Sequence, residues 1–393
     1  MAETDDGPRA GGMQRSFDRQ VVVVGGGILL ILALLAWLPD ITPVGARDFV
    51  SDRAHARIIA ITPATDEAPP VASVEFVDGP RAGETVDAQV EGPSGQLQLP
   101  DYAADDEVIV AIDQDPLNGE VFTVLDRWRL PLLRNLVGGF AIVTILVAGW
   151  RGIRALVSLA LTLVLAIKVL IPALLDGWNP VGLAICLGTL ITIGTLVLTQ
   201  GLSRQVLAAI LGTVLGLVVT GVLAVMVTEA ARFTAAQGSE QVVYLEQLTQ
   251  GRIDLSGLLL AAVIFGGLGV LNDVAISQAA TVDELLEVNP AMRPAELYRR
   301  TMNVGTAHLA ATVNTLVFAY LGAALPLLVL LAIQVESLNL SVNEEIIAVE
   351  IVRTIVGSVG VLLAVPATTA ITVWLATRPQ RRRAQPAVIE TQS

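Results

Sequence analysis

The sequence predicts an all-α polytopic membrane protein of about eight transmembrane helices, carrying one small extracytoplasmic β-rich domain, either an OB-like barrel or a sandwich. Three observations predict it: long uncharged apolar runs, tryptophans at the ends of those runs, and one acidic stretch of short β-type segments between the first two. Hydrophobic residues make up 53% of 393 and charged residues 16%, against roughly 25% charged in a soluble domain. An uncharged run of about 18 or more residues reads as a membrane span, because a helix satisfies its own backbone in hydrocarbon.

With a window of about 19 residues, the spans fall at Val21–Leu38, Leu132–Trp150, Ala155–Leu175, Pro180–Leu198, Val206–Val227, Leu255–Ala275, Gly305–Ile333 and Val349–Leu375. Trp37, Trp128, Trp150, Trp178 and Trp374 all stand at or beside a span end, where an amphipathic indole prefers the headgroup layer. The chain then divides into a tail (1–20), the first span (21–38), a β-rich domain (46–127), a seven-helix membrane domain (132–375) and an Arg-rich tail (376–393).

Orientation follows from arginine bias in the short connections. Arg9, Arg15 and Arg19 precede the first span, and Arg151 and Arg154 follow the second. Arg204 follows the fourth, Arg293, Arg299 and Arg300 precede the seventh, and Arg378 and Arg381–Arg383 close the chain. The short alternate connections are poor: none at Asp176–Asn179, none between Gln334 and Ala348, and only Arg232 and Arg252 between. By the positive-inside rule both termini are cytoplasmic and residues 39–131 are extracytoplasmic, with the inner membrane as the expected location. Val44-Gly45-Ala46 imitates a signal cleavage site, but the run before it exceeds a signal core, so an uncleaved anchor is expected.

The net charge of −13 is uneven, with about half of the acids between Asp40 and Asp126. That charge keeps one soluble segment in solution. It also leaves no basic face for nucleic acid. The single cysteine, Cys186, lies in an apolar run, so the exported domain folds without disulfides. Within that domain Arg57–Thr62, Val71–Val77, Thr85–Glu91, Glu107–Ile112 and Val121–Leu125 read as strands. Asp78-Gly79 and Asn118-Gly119 read as hairpin turns, since both offer residues that tolerate positive φ. His55 stands alone in sequence, and no metal-ligand spacing or phosphate loop accompanies it. A structural or partner-docking module is the first expectation for this domain and ligand binding the second; no cofactor or metal is implied.

Ionisable and polar residues inside spans are costly, and each is a functional candidate. Lys168, the only lysine, lies in the third span, where its stem can snorkel toward Asp176 or hold a buried charge. Arg353 and Glu350 form an i,i+3 pair expected to anchor the eighth span at its interface, and Arg134 is a similar anchor. The sixth and seventh spans differ. Phe265-Gly266-Gly267-Leu268-Gly269 leads into Asn272-Asp273, and Gly305, His308, Thr312, Thr315, Ala319, Gly322 and Pro326 recur every three or four residues, with Asn314 beside them. A polar-and-small stripe of this kind faces protein or water. Asp273 and His308 reach similar depth, so the two helices would pair a carboxylate with an imidazole able to carry a proton or fix a cation. The rival reading makes Asn272, Thr312 and Asn314 helix-to-helix hydrogen-bonding groups. Thr281-Val282-Asp283-Glu284 reads as a capping box, Asn289-Pro290 as a helix break and Pro294 as the next helix start.

These segments resemble a known family. Gly266–Ala275 with its Asn-Asp, Asn289-Pro290, Met302-Asn303-Val304-Gly305, Ala311–Leu316, Ala319–Gly322 and Leu325–Leu328 are similar to the YibE/F family, over roughly Trp128 to the end of the eighth span. The resemblance implies a bacterial multi-pass membrane protein with an exported domain between the first two spans. It also implies an Arg-Asp pair after the glycine matching Gly305, where this chain has Thr306 and Ala307. Asp273 is then the one acid among the motif positions.

The leading functional expectation is a transporter or permease for a small solute or ion, with Asp273, Asn272, His308, Thr312, Asn314 and Thr315 on a polar path and Lys168 as a secondary candidate. The alternative is a non-transporting scaffold or sensor whose exported domain binds a partner. An intramembrane enzyme is disfavoured, since the sequence lacks paired intramembrane aspartates, a HExxH helix and a serine–base set. The lipid bilayer is the one partner implied; substrate and oligomeric state are not legible.

Overall fold

The computed structural model describes residues 9–37, 52–63, 70–90, 102–115, 119–234, 240–249, 251–334 and 338–377. Val44-Gly45-Ala46, Glu91, Asn118 and the Arg-rich tail lie outside them. The chain forms two compact units, Pro43–Gly149 and Met1–Thr42 with Trp150–Ser393.

The first unit holds five strands, β1 (Asp52–Thr62), β2 (Val71–Phe76), β3 (Thr85–Val90), β4 (Glu107–Asp115) and β5 (Gly119–Arg127), closed into a barrel in the order β1-β2-β3-β5-β4. All five expected strands are present, and the closed Greek-key barrel is the OB-like alternative rather than the sandwich. All pairings are antiparallel except β3 with β5, where Gln89 faces Thr123 and Val90 faces Val124. Alternate residues point inward and make the core: Ala56, Ile58, Val74, Phe76, Ala88, Val108, Val110 and Val124 are buried. Closure depends on β1, whose register shifts between Ile58 and Ala60. That bulge bends the strand, so it pairs β2 along one edge and β4 along the other. Gly79 has φ 82°, which lets the β2–β3 connection reverse where a side chain would strain it.

The second unit is helical. Its elements are α1 (Arg9–Trp37), α2 (Leu130–Leu165, which begins in the first unit), a π turn (Ala166–Leu170), α3 (Ile171–Leu175), α4 (Pro180–Gln200), α5 (Arg204–Ala231), α6 (Glu240–Thr249), α7 (Leu255–Val288), α8 (Pro294–Ala323), α9 (Leu325–Gln334), α10 (Leu338–Val342) and α11 (Glu345–Thr377). Six helical runs among the described residues are long and apolar enough to cross a membrane: Leu130–Leu175, α4, α5, α7, α8 and α11. Val22–Ala36 within α1 is apolar but shorter. The expected second and third spans thus fall in one run, interrupted by non-helical dihedrals at Gly149 (φ 56°, ψ −133°). The expected seventh span is also divided, since α8 ends at Ala323 and Pro326 opens α9. α6 is a helix that the sequence reading left as a connection.

α5, α7 and α11 make the most extensive helix contacts of the unit. Lipid tails are as apolar as leucine, so helices associate through close packing of small residues. Gly212, Gly216 and Thr220 recur at four-residue spacing on α5, against Gly360, Ala364 and Thr368 on α11. A Cβ on Gly212 would meet the Thr368 hydroxyl, and one on Gly360 the Thr220 hydroxyl. A Cβ on Gly216 would lie 2.8 Å from a Leu271 methyl and 3.1 Å from the Ala364 methyl. Arg154, read from sequence as an orientation signal, is buried and donates its Nε–H to the Leu198 carbonyl at 2.5 Å, near the end of α4. It satisfies an end-of-helix carbonyl with a positive charge.

Two outcomes follow. Gly212→Val should lower stability by about 1–3 kcal/mol through overpacking, whereas Gly269→Ala, with open space around it, should be neutral or slightly stabilising; thermal unfolding in detergent measures both. In the barrel, Arg81 holds Glu120 through bonds of 2.9 and 2.6 Å, and that hydrogen bond lowers the carboxyl below its ordinary 4.5. The pair's contribution is therefore complete above pH 4.5 and is lost as pH falls through the lower folded value. Acid titration of stability should show the gap between the native chain and Glu120→Gln closing in that range.

Candidate functional site

α7 organises the polar residues. Asp254 caps it, accepting from the Gly257 N–H at 2.9 Å. The helix then runs unbroken for 34 residues to Val288 and ends before Asn289-Pro290. The helix continues past Ala275, the expected end of the sixth span, and the expected capping box is absent. Thr281 is inside the helix and donates its hydroxyl back to the Ser277 carbonyl at 2.9 Å. Polar side chains past Ala275 lower the hydropathy but leave every i→i−4 bond intact, so the helix outlasts its apolar stretch.

α7 and α8 pack antiparallel. Gly266 lies against the Tyr320 hydroxyl and Gly305 against the Gln278 amide, which sets Asp273 at the depth of Ala311 and Thr312. Asn272 points inward and is buried (7% exposed), and its Oδ1 has no hydrogen-bond partner among the described residues. Asp273, one residue on, is exposed on the single chain, as are His308, Asn314 and Thr315. His308 is near enough to act electrostatically on Asp273, but no hydrogen bond or ion pair joins them among the described residues. Thr312 donates to the His308 carbonyl at 2.9 Å and Thr315 to the Ala311 carbonyl at 3.0 Å. Both hydroxyls thus donate within their own helix, and neither bridges to a neighbour among the described residues. The structure brings Asp273 and His308 to one side of the α7–α8 pair and turns Asn272 away from them into the core. Lys168 is half-buried in the π turn of Ala166–Leu170, a local widening often found at functional positions.

The buried polar interior is richer than the sequence reading. Gln278 is 1% exposed and accepts the Thr369 hydroxyl at 3.0 Å, under the bare backbone of Gly305. Thr213 and Thr220 of α5 and Ser358, Thr368 and Thr372 of α11 are buried with it. The Ser358 and Thr368 hydroxyls, like the Asn272 Oδ1, have no partner among the described residues. The signal was present as Asn272, Ala275 and Gln278 at three-residue spacing, continuing one face of α7 beyond the apolar window.

In the barrel, His55 is not isolated. Its Nδ1 is 3.2 Å from Asp78 and its Nε2 3.4 Å from Glu107, and its ring stacks on Trp128 with centroids 4.2 Å apart. Trp128 is therefore a packing partner of His55 as well as a residue beside a span end. His55, Asp78, Trp128 and Arg81 line a cleft of about 500 Å³. No group of three or more metal-ligating side chains occurs among the described residues.

A helical unit with several membrane-length apolar runs, packed through glycine and threonine around buried amides and hydroxyls, defines a multi-pass membrane protein. The model of the YibE/F-like protein family matches residues 136–378, more than half of the chain, and the chain belongs to that family. Comparison with curated proteins and with solved structures gave no match.

Gln278→Ala should cost about 1–3 kcal/mol, since it removes the buried amide that bonds Thr369 and opens a void. Asp273→Asn, at an exposed position, should change stability by less than about 0.5 kcal/mol. Unfolding in detergent separates the two.

Proposed function

We propose that the chain crosses the inner membrane eight times, with both termini cytoplasmic and the barrel outside, and that its helical unit moves a small solute or ion. The 46-residue run Leu130–Leu175 supports the higher count: a helix of that length is about 69 Å long, twice the roughly 30 Å of hydrocarbon. Gly149 is the natural boundary between its two crossings. α1 supplies the first crossing. Arginine bias in alternate connections supports the orientation.

The observation that carries transport is the set of buried polar atoms on Asn272, Ser358 and Thr368 with no partner among the described residues. An unmet polar atom in a bilayer core is expensive, and a passing solute or water would satisfy it. The groups are neutral hydroxyls and an amide, which suit a monovalent cation or a neutral hydrogen-bonding solute. Asp273 and His308 are the titratable pair at one side of this helix and would couple passage to protons.

The test is flux in proteoliposomes of the full chain, read with proton- and cation-sensitive dyes. Asn272→Leu should cut flux by at least about tenfold, the worth of one hydrogen bond to the moving species. Asp273→Asn should shift its pH dependence. Flux no greater than in empty vesicles, or unchanged in Asn272→Leu, would sink the reading. The cleft at His55 and Trp128 favours a second one, a scaffold or sensor whose barrel binds a partner. Under that reading, removing residues 46–127 abolishes function while Asn272→Leu is tolerated.

A further inference from the structure

The end of the helical unit where α11 begins, α8 finishes and α7 starts carries a charged cluster between two apolar clefts. Glu350 and Arg353, one turn apart on α11, are bonded at 2.8 Å and keep 27% and 26% of their side-chain exposure. The larger cleft, about 290 Å³, is walled by Leu255, Leu258 and Ala262 of α7 and Val349 of α11, with Glu350 and Arg353 on its lining. The smaller, about 200 Å³, lies between α8, α9 and α11 and shares Glu350, with Tyr320 on its wall.

Two donors in this cluster are buried. The Tyr320 hydroxyl and the Arg353 Nε have no hydrogen-bond partner among the described residues. They belong to one neighbourhood. The tyrosine hydroxyl is inserted between α7 and α11, where a Cβ on Gly266 would be 2.5 Å and one on Gly357 3.6 Å from it. Arg353 is one turn before Gly357 on the same face of α11, and its charge acts on that hydroxyl. A buried donor without an acceptor is costly, so the pair is suited to an oxygen supplied from outside. Glu350 is not that acceptor: its bond runs to the terminal nitrogen of Arg353, leaving Nε free. The ion pair itself is neutral, which lets an anionic oxygen approach the two donors.

We propose that this end of the unit binds an amphiphile from the bilayer. Its carboxylate or phosphate head accepts hydrogen bonds from the Tyr320 hydroxyl and the Arg353 Nε–H, and its hydrocarbon chain fills the larger cleft. The apolar walls decide against a soluble anion, which would leave the partly exposed Leu258, Leu259 and Ile346 of the same lining uncovered. A chain along those walls removes them from contact with water and headgroups at the interface. The site is separate from the buried interior around Asn272 and Gln278, and its occupancy does not require flux.

The experiment is native mass spectrometry of the delipidated full chain in detergent, with oleate, dioleoyl phosphatidylglycerol, acetate and inorganic phosphate as separate probes. Oleate or the phospholipid should be retained, distinguishing a free fatty acid from a phospholipid head, while acetate and phosphate are not held at millimolar concentration. Tyr320→Phe should weaken retention about tenfold, the loss of one hydrogen bond to a charged acceptor. Arg353→Gln should weaken it at least as much, and Leu258→Trp should fill the cleft and exclude the chain. Because the hydroxyl has no partner among the described residues, Tyr320→Phe should melt no lower than the native chain without lipid. Retention unchanged in Tyr320→Phe and Arg353→Gln, failure of both amphiphiles to bind, or equal binding of acetate would each overturn the proposal.

Discussion

Helices in a bilayer cannot rely on water to press them together, and the close approach of α5 to α11 answers that constraint. Gly212 makes room for the Thr368 hydroxyl, and Gly360 makes room for that of Thr220. Each helix supplies the missing side chain that the other occupies. The gain is dispersion over a long contact, since every atom pair adds little alone. α7 is laid against this pair, with Leu271 against Gly216 and Gln278 bonded to Thr369. Remove the glycine–threonine fit and the inward face of α7, including Asn272, loses the surface that orients it.

The same packing explains the division of polar residues along α7. Asn272 is buried and Gln278 is bonded to Thr369 of α11, whereas Asp273 is exposed. Adjacent residues on a helix differ by about 100° in direction, so one turn of chain can present a neutral amide to the interior and a carboxylate to the outside. The interior thereby stays free of formal charge at this level while a titratable group remains close by. The barrel is built on a different logic, with ion pairs such as Arg81 with Glu120 at its exposed edge and aliphatic residues within.

Much of this architecture was legible in the residues. The strands were readable because Val71–Phe76 and Glu107–Ile112 combine β-branched residues with alternation, and turn residues bound them. Membrane helices were readable wherever charge was absent. What escaped the sequence depended on contacts between distant positions. His55 meets Asp78 across 23 residues and Gln278 meets Thr369 across 91, and no local spacing announces either. The end of α7 was misjudged because hydropathy measures the side chains, while the helix is continued by its backbone. Thr312 reads as a link between helices and Thr315 as part of a polar path; a threonine inside a helix can instead bond to the carbonyl four residues earlier, and both do.

Arg154 has a consequence for how the chain is made. Its guanidinium is buried, and its acceptor, the carbonyl of Leu198, comes 44 residues later. The chain is synthesised from the N-terminus at about 5–20 residues per second, so several seconds separate donor from acceptor. Through that interval the arginine must keep water or a lipid headgroup as its partner. The C-terminal part of α2 therefore reaches its final seat only once α4 has arrived.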